Sequence, residues 1–350
     1  MTTPVAEKEV LIEFDKEFYK DRIQSLINPA IHRFQRILKS YTLFNLFFIC
    51  LLIAEVIYFF VHLTVLLQTF VLAIHLALIF ATLFSYFTLR MYFQTRKTEQ
   101  LIELKNDFVK ACQGDLNDST DIPEQHLTVA YACCKLAADL HGKEYTIYTC
   151  PFWLDFLSSS LEKLCCWLHW PDVHTMKELL LQACIEQHIK LVRLEPTDLE
   201  AHAGLANAYV MLSGLYVDPR TIEGLDDERW IPPNKYNRVF QQKFRTTAER
   251  AIEEFKILSD YAPHDPWVHA QLAYSYRDLQ MPIEEIKEYE IILQLCPEDK
   301  ETLFKLGKLY FEQGLNAKGL QIYETLRRSN YKKAESLIHF YGAYSHPIGS

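Results

Sequence analysis

The sequence predicts an all-α protein in two parts, a two-span transmembrane helical hairpin followed by an α-solenoid of paired helices. Three observations predict it. From Tyr41 to Leu89 there are 49 residues without Lys, Arg, Asp, Gly or Pro, and Glu55 is the only formal charge among them. Further on, a pattern of Leu, a small residue and Tyr returns at a spacing of 34 residues. Only 10 of the 350 residues are Gly, and after Pro123 every strong apolar period is helical, with no convincing strand alternation.

Residues 1–40 read as amphipathic helices on the cytoplasmic side. Leu11, Phe14, Phe18 and Leu26 fall at helical spacing, and Asn28-Pro29 is expected to end this first helix before a second one runs into the apolar stretch. Its polar face carries interleaved charges of both signs, so it either lies on a membrane surface or packs on the chain that follows the hairpin.

Residues 41–97 form the hairpin. A helix crosses a hydrocarbon core of roughly 30 Å with about 20 residues, so the apolar run is too long for one span and fits two, at about 42–65 and 69–89, with a turn near Val65 to Thr69. A cleavable signal peptide would not carry 40 charged and polar residues ahead of its apolar core. A soluble buried hairpin would need a large core around two helices that are apolar all round. Lys20, Arg22, Arg33, Arg36 and Lys39 precede the run and Arg90, Arg96 and Lys97 follow it, while the turn has no cation. The positive-inside rule then places both flanks, and with them the N- and C-termini, in the cytoplasm. Tyr41, Tyr86 and Tyr92 suit an interfacial belt, and the expected location is a bacterial inner membrane.

Glu55, His62 and His75 form the polar cluster of the spans. With the turn near residue 67, His75 falls in depth between Glu55 and His62, within about 6 Å of each along the axis. Ionisable groups at that depth either join helices or protomers or carry protons.

Residues 98–122 continue as a helix with Leu101, Leu104 and Phe108 on one side, then a polar linker. After residue 97 there are 26 basic and 38 acidic residues, a net of −12, which is a poor match for nucleic acid or an anionic bilayer. The nine cysteines include the adjacent pairs Cys133-Cys134 and Cys165-Cys166, which do not look like a disulfide framework and suit a reducing compartment.

Residues 123–350 hold the repeats. The segment from Pro263 matches the segment from Pro297 at Leu272 and Leu306, Ala273 and Gly307, Tyr276 and Tyr310, and Tyr289 and Tyr323, each pair 34 apart. An earlier copy starts at Pro196 with Leu205, Ala206 and Tyr209, each 67 residues ahead of its counterpart. The small residue lets paired helices approach and the tyrosine fills the space between them. This period and pattern resemble the tetratricopeptide repeat, TPR. Relative to that family the first clear repeat carries an insertion at about 214–243. Part of it extends a helix with the stripe Phe240, Phe244, Ala248, Ala251, Phe255 and Leu258, capped by Asn234; the rest is a loop around Trp230, either functional or a packed excursion. Upstream, "LTVAYACCKLAADLHG" and "HTMKELLLQACIEQHIKLVRLE" are expected as the two helices of a degenerate repeat. Between them, the helix "PFWLDFLSSSLEKLCCWLHW" is expected to cover the solenoid with its apolar face. Residues 331–343 are expected as a capping helix.

The resemblance implies a protein or peptide partner in a groove lined by the first helices of successive repeats. Its positions here are Asn207 and Met211, then Trp267, Tyr274, Arg277 and Asp278, then Phe304, Lys308, Phe311 and Glu312. The family's clamp for a terminal carboxylate would want Lys where Ala203 and Ala270 stand, so a chaperone tail is not the expected ligand. There is no P-loop, GxGxxG, HExxH or GxSxG, and no zinc-finger spacing, so neither an enzyme nor a cofactor or metal site is expected. The expectation is a membrane-anchored scaffold that binds a protein at the cytoplasmic face, with homo-oligomerisation possible through the hairpin. Two alternatives stand beside it. The close spans are similar to the bilobed hydrophobic domain of chlamydial inclusion-membrane proteins, which implies repeats presented to a host cytosol. Glu55 and His75 would otherwise serve a component that senses or transports protons.

Overall fold

A computed structural model of the chain describes residues 4–62, 69–114, 123–148, 156, 158–221 and 230–342, with side chains from Arg22 onward. The described residues are helical and contain no strand. They divide into two compact units, Met1–Gln187 with Asp226–Lys235, and His188–Leu225 with Tyr236–Ser350.

The first unit is built on α1 (Pro4–Val61) and α2 (Thr69–Gln113), two long helices packed on each other. Contrary to the expected break at Asn28-Pro29, α1 runs through Pro29 without interruption. Ile23, Ile27, Ala30, Phe34 and Leu38 are buried at spacings of four and three, the seam of a two-stranded coiled coil, and α2 buries Leu101, Leu104 and Phe108. An interior proline costs about 3 kcal/mol, whereas each large buried apolar side chain gives about 1.5–3 kcal/mol, so four of them outweigh the break. The N-terminal stretch therefore packs on the chain after the hairpin. Arg33 Nη1 to Asp107 Oδ2 at 2.6 Å, Tyr41 Oη to Gln100 Oε1 at 3.1 Å and Thr82 Oγ1 to Glu55 Oε1 at 2.7 Å fix an antiparallel register. Both helices are long and apolar enough to cross a membrane. Phe47, Phe60, Phe70, Phe80 and Phe84 are all more than half exposed along them. The turn expected near 65–69, the linker 115–122 and the side chains of Leu11, Phe14 and Phe18 lie outside the described residues.

α3 (Pro123–Asp139), the single turn α4 (Lys143–Thr146) and the start of α5 (Ser158–Leu194) complete this unit. The segment around "LEKLCCWLHW" is not a separate helix. Pro171 lies inside α5, and Cys165, Cys166, Trp170, Val173 and Met176 form one buried face across it, which again outweighs a lost hydrogen bond. Gln187 Oε1 lies 2.8 Å from His126 Nδ1 and Cys184 Sγ 2.8 Å from Cys134 Sγ, joining α5 to α3. Burial pushes the Cys166 thiol up to about 11, consistent with a cysteine that fills space rather than reacts.

The second unit contains α6 (Leu199–Gly214), α7 (Arg238–Tyr261), α8 (Pro266–Asp278), α9 (Pro282–Leu295), α10 (Lys300–Glu312), α11 (Asn316–Arg328) and the single turn α12 (Ala334–Leu337). Each packs on the next along the chain. Asp198, Asp265 and Asp299 cap α6, α8 and α10, each with a side-chain oxygen that accepts from backbone N–H groups of the first turn. The α8–α9 and α10–α11 pairs thus start 34 residues apart. Between the helices of each pair the chain turns through the left-handed region, at Gln280 (φ 57°) and Gly314 (φ 74°). Ala273, Tyr289, Leu306, Tyr310, Ile322, Leu326 and Leu337 share one core. Gly307 is a close approach, since a Cβ there would meet Ile322 Cγ2 at 2.8 Å and Leu337 Cδ2 at 2.9 Å.

Three local expectations are corrected. Asn237, not Asn234, caps α7, accepting from the N–H groups of Val239 and Phe240. Asn234 has a φ of 61° and makes the turn after Pro232-Pro233. The stripe on α7 is buried from Ala248 to Leu258 but only half-buried at Phe240 and Phe244. Residues 331–342 form α12 and a 3₁₀ turn, Ile338–Phe340, rather than a full helix; Leu337 anchors them against the Gly307 face.

Candidate partner-binding surface

The sequence-derived groove positions sit in the second unit. On α8, Tyr274 is half-buried and carries Arg277 one turn along, with Cζ 5.3 Å from the ring centroid. From α10, Lys305 Nζ approaches the same ring at 5.3 Å and lies 3.4 Å from the Tyr274 hydroxyl. One aromatic ring is thus bracketed by two cations from the first helices of successive pairs, an arrangement worth about 0.5–1 kcal/mol per contact at an exposed site. Lys305 also pairs with Glu301 at 3.1 Å, and Lys308 pairs with Glu312 at 3.7 Å while lying 4.9 Å from the Phe340 ring centroid. Phe304 is half-buried with its ring 6.3 Å from that of Tyr331.

Beside Arg277, Glu285 of α9 is only 6% exposed. Burial pushes its carboxyl up to about 7, against the opposing pull of the Arg277 guanidinium and a hydrogen bond from Tyr289. Tyr289 is itself held above its ordinary value, first by burial and then by the Glu285 charge. Glu285 and Lys305 were not among the sequence-derived positions. Lys305 had a signal in its i,i+4 spacing from Glu301; Glu285, on a second helix, had none.

The other positions are distributed unevenly. Asn207 and Met211 are exposed on α6, one pair earlier. Trp267 is exposed on one side and stands edge-on to Phe255, with ring centroids 6.1 Å apart. Asp278 is exposed, with Oδ1 3.8 Å from Arg277 Nε. Phe311 is the exception and is corrected here: it is 0% exposed. A Cβ at Gly319 would come within 2.6 Å of the Phe311 ring, so the missing side chain of α11 makes the space that draws the ring into the core.

A second repeated constellation is structural. His202 Nδ1 lies 2.7 Å from Glu254 Oε2 and its Nε2 lies 3.1 Å from the Pro196 carbonyl oxygen. His269 repeats it, with Glu288 at 2.7 Å and the Pro263 carbonyl at 3.1 Å. Each ring ties the proline that opens a pair to the following helix. Both ring nitrogens face acceptors, so both bonds form together only on the doubly protonated ring.

In the hairpin, Glu55 is not joined to His75 by a hydrogen bond. Its Oε1 accepts from Thr82 Oγ1, and its Oε2 has no hydrogen-bond partner. His75 lies between Tyr58 and Phe59, with ring centroids 5.4 and 5.7 Å away, and Tyr58 also lies 4.6 Å from the His62 ring. The observed register puts Glu55 opposite Thr82, which shifts His75 toward His62 and away from Glu55. Comparison of the sequence with protein-family models and with curated proteins finds no match.

Proposed function

We propose that the protein is a membrane-anchored adaptor whose paired helices, similar to tetratricopeptide repeats, bind a protein partner at the cytoplasmic face. The observation that carries this reading is Tyr274 bracketed by Arg277 and Lys305 on adjacent first helices, an exposed aromatic and cationic surface of the kind that engages peptide segments with carboxylate side chains. Support for the anchor comes from α1 and α2, which are long and apolar enough to cross a membrane, and from cations on both flanks. A tether of this kind confines the partner search to the membrane surface and raises effective concentration.

The test is affinity recovery of partners with the detergent-solubilised full chain, compared with the double variant Tyr274→Ala, Lys305→Glu. Loss of a specific set of partners is expected; an unchanged set removes the groove. A second reading, a component that senses or moves protons, draws on the buried Glu55 with one unpartnered oxygen. Glu55→Gln separates the two, because the adaptor reading expects partner recovery and pH response to be unaltered.

A further inference from the structure

We propose that the first three turns of α5, residues 158–170, lie in the headgroup layer of the membrane, with Leu161, Leu164, Trp167 and Leu168 against lipid. This rests on the hairpin crossing that membrane.

The helix is apolar on two opposite sides. At about 100° per residue, Cys165, Cys166, His169 and Trp170 fall on one side, and all are buried. Leu161, Leu164, Trp167 and Leu168 fall on the other, interrupted only by Ser160. That second side is open: Leu164 is 50% exposed, Trp167 58% and Leu168 37%, and Phe156 just before the helix is 79% exposed. A helix with apolar residues all round belongs inside a core or in lipid. The expectation that this face covers the repeats is therefore corrected within its own unit, where nothing described covers it.

The same unit fixes the height of this face. His169 Nε2 lies 3.4 Å from Thr42 Oγ1 on α1, and Asp172 Oδ1 lies 2.7 Å from Lys97 Nζ on α2. Thr42 and Lys97 stand opposite each other in the register set by Tyr41 with Gln100 and Arg33 with Asp107. One turn of α5 thus reaches both helices at one level, so this stretch crosses the hairpin rather than running along it. That level is a border. On one side of it Leu43, Leu46 and Phe47 are exposed, together with Met91 and Tyr92; on the other stand Arg33, Arg36, Lys39, Arg96 and Glu99. The open face of α5 is continuous with the apolar surface of the hairpin at the depth where hydrocarbon meets headgroups.

Trp167 has the amphipathic ring enriched at that depth. The exposed charges of this stretch, Glu162 and Lys163, offset each other, so insertion is driven by apolar contact and does not need anionic lipid. Lipid is the occupant that this continuity favours over a second copy or a protein partner.

The experiment uses the full chain in nanodiscs of phosphatidylcholine, plain or carrying bromine high on the acyl chains. Trp167→Phe is expected to remove a bromine-quenched component of the emission, and Trp267→Phe to leave that component in place. A Trp167 emission that is unaffected by bromine but quenched by aqueous acrylamide overturns the proposal, because the ring is then in water. One shielded from both also overturns it, because protein then covers the face. The added reporter Phe80→Trp, in the hairpin, separates the two levels of failure. Quenching at residue 80 without quenching at Trp167 sinks only the docking of α5; no quenching at either removes the membrane anchor as well.

Discussion

Gln280 occupies the place of Gly314 one pair earlier, at a φ of 57° against 74°, a backbone conformation that costs a side chain about 1 kcal/mol. Its side chain is exposed, so Gln280→Gly is expected to raise the unfolding free energy of the second unit by about 0.5–1 kcal/mol, read from chemical denaturation. Glu285 makes the opposite kind of prediction, tied to pH. Its carboxyl is held near about 7 in the fold against an ordinary 4.5, so between those values the folded chain keeps a proton that the unfolded chain has lost. Stability contributed by this group is present below about pH 4.5 and falls as pH rises through 7. Glu285→Gln should flatten that decline and stabilise at pH 7.5 by up to about 3 kcal/mol; an unchanged pH profile would show that the carboxyl is solvated. At Gly319 there is no such freedom. The Phe311 ring stands within 2.6 Å of where a Cβ would go, so Gly319→Ala is expected to cost about 1–3 kcal/mol, measured by thermal unfolding. The same contact explains why Phe311 was legible as an aromatic of the repeat but not as a core residue: the space it enters is made by a residue eight positions away on another helix.

At the scale of elements, capping and burial settle what proline does. Asp198, Asp265 and Asp299 recur at the helix starts with the prolines of the pairs, so those starts were readable from the sequence once the 34-residue spacing was seen. Pro29 and Pro171 carry the same local signal and yet do not stop a helix. In both, the residues on either side continue one buried face, Ile27 to Phe34 on α1 and Cys166 to Val173 on α5, and packing decides against the local preference. Pro29 itself is exposed and packs on nothing that a smaller residue would lose. Pro29→Ala is therefore expected to stabilise α1 by up to about 3 kcal/mol, seen as slower amide exchange in residues 22–38. If exchange there is instead accelerated, the helix is not continuous through this position.

At the scale of the molecule, the apolar exposure of α1 and α2 marks what the chain needs from its surroundings. Phe70, Phe80 and Phe84 are 70–75% exposed, and several such rings along each helix are more than a water-facing surface tolerates. Native membranes washed at alkaline pH are expected to retain the full chain, and release into the wash would rule out the spans. The sequence by itself determined the all-α class, the two apolar helices, the 34-residue spacing and most of the exposed positions around Tyr274, because these follow from period, length and side-chain chemistry read locally. Only the tertiary structure decided which prolines are overridden, that Phe311 is core, that Lys305 and Glu285 join Tyr274 and Arg277, and that Glu55 meets Thr82 rather than His75. Each of those depends on the register between helices. A shift of one or two residues leaves every local pattern intact and changes which side chains touch.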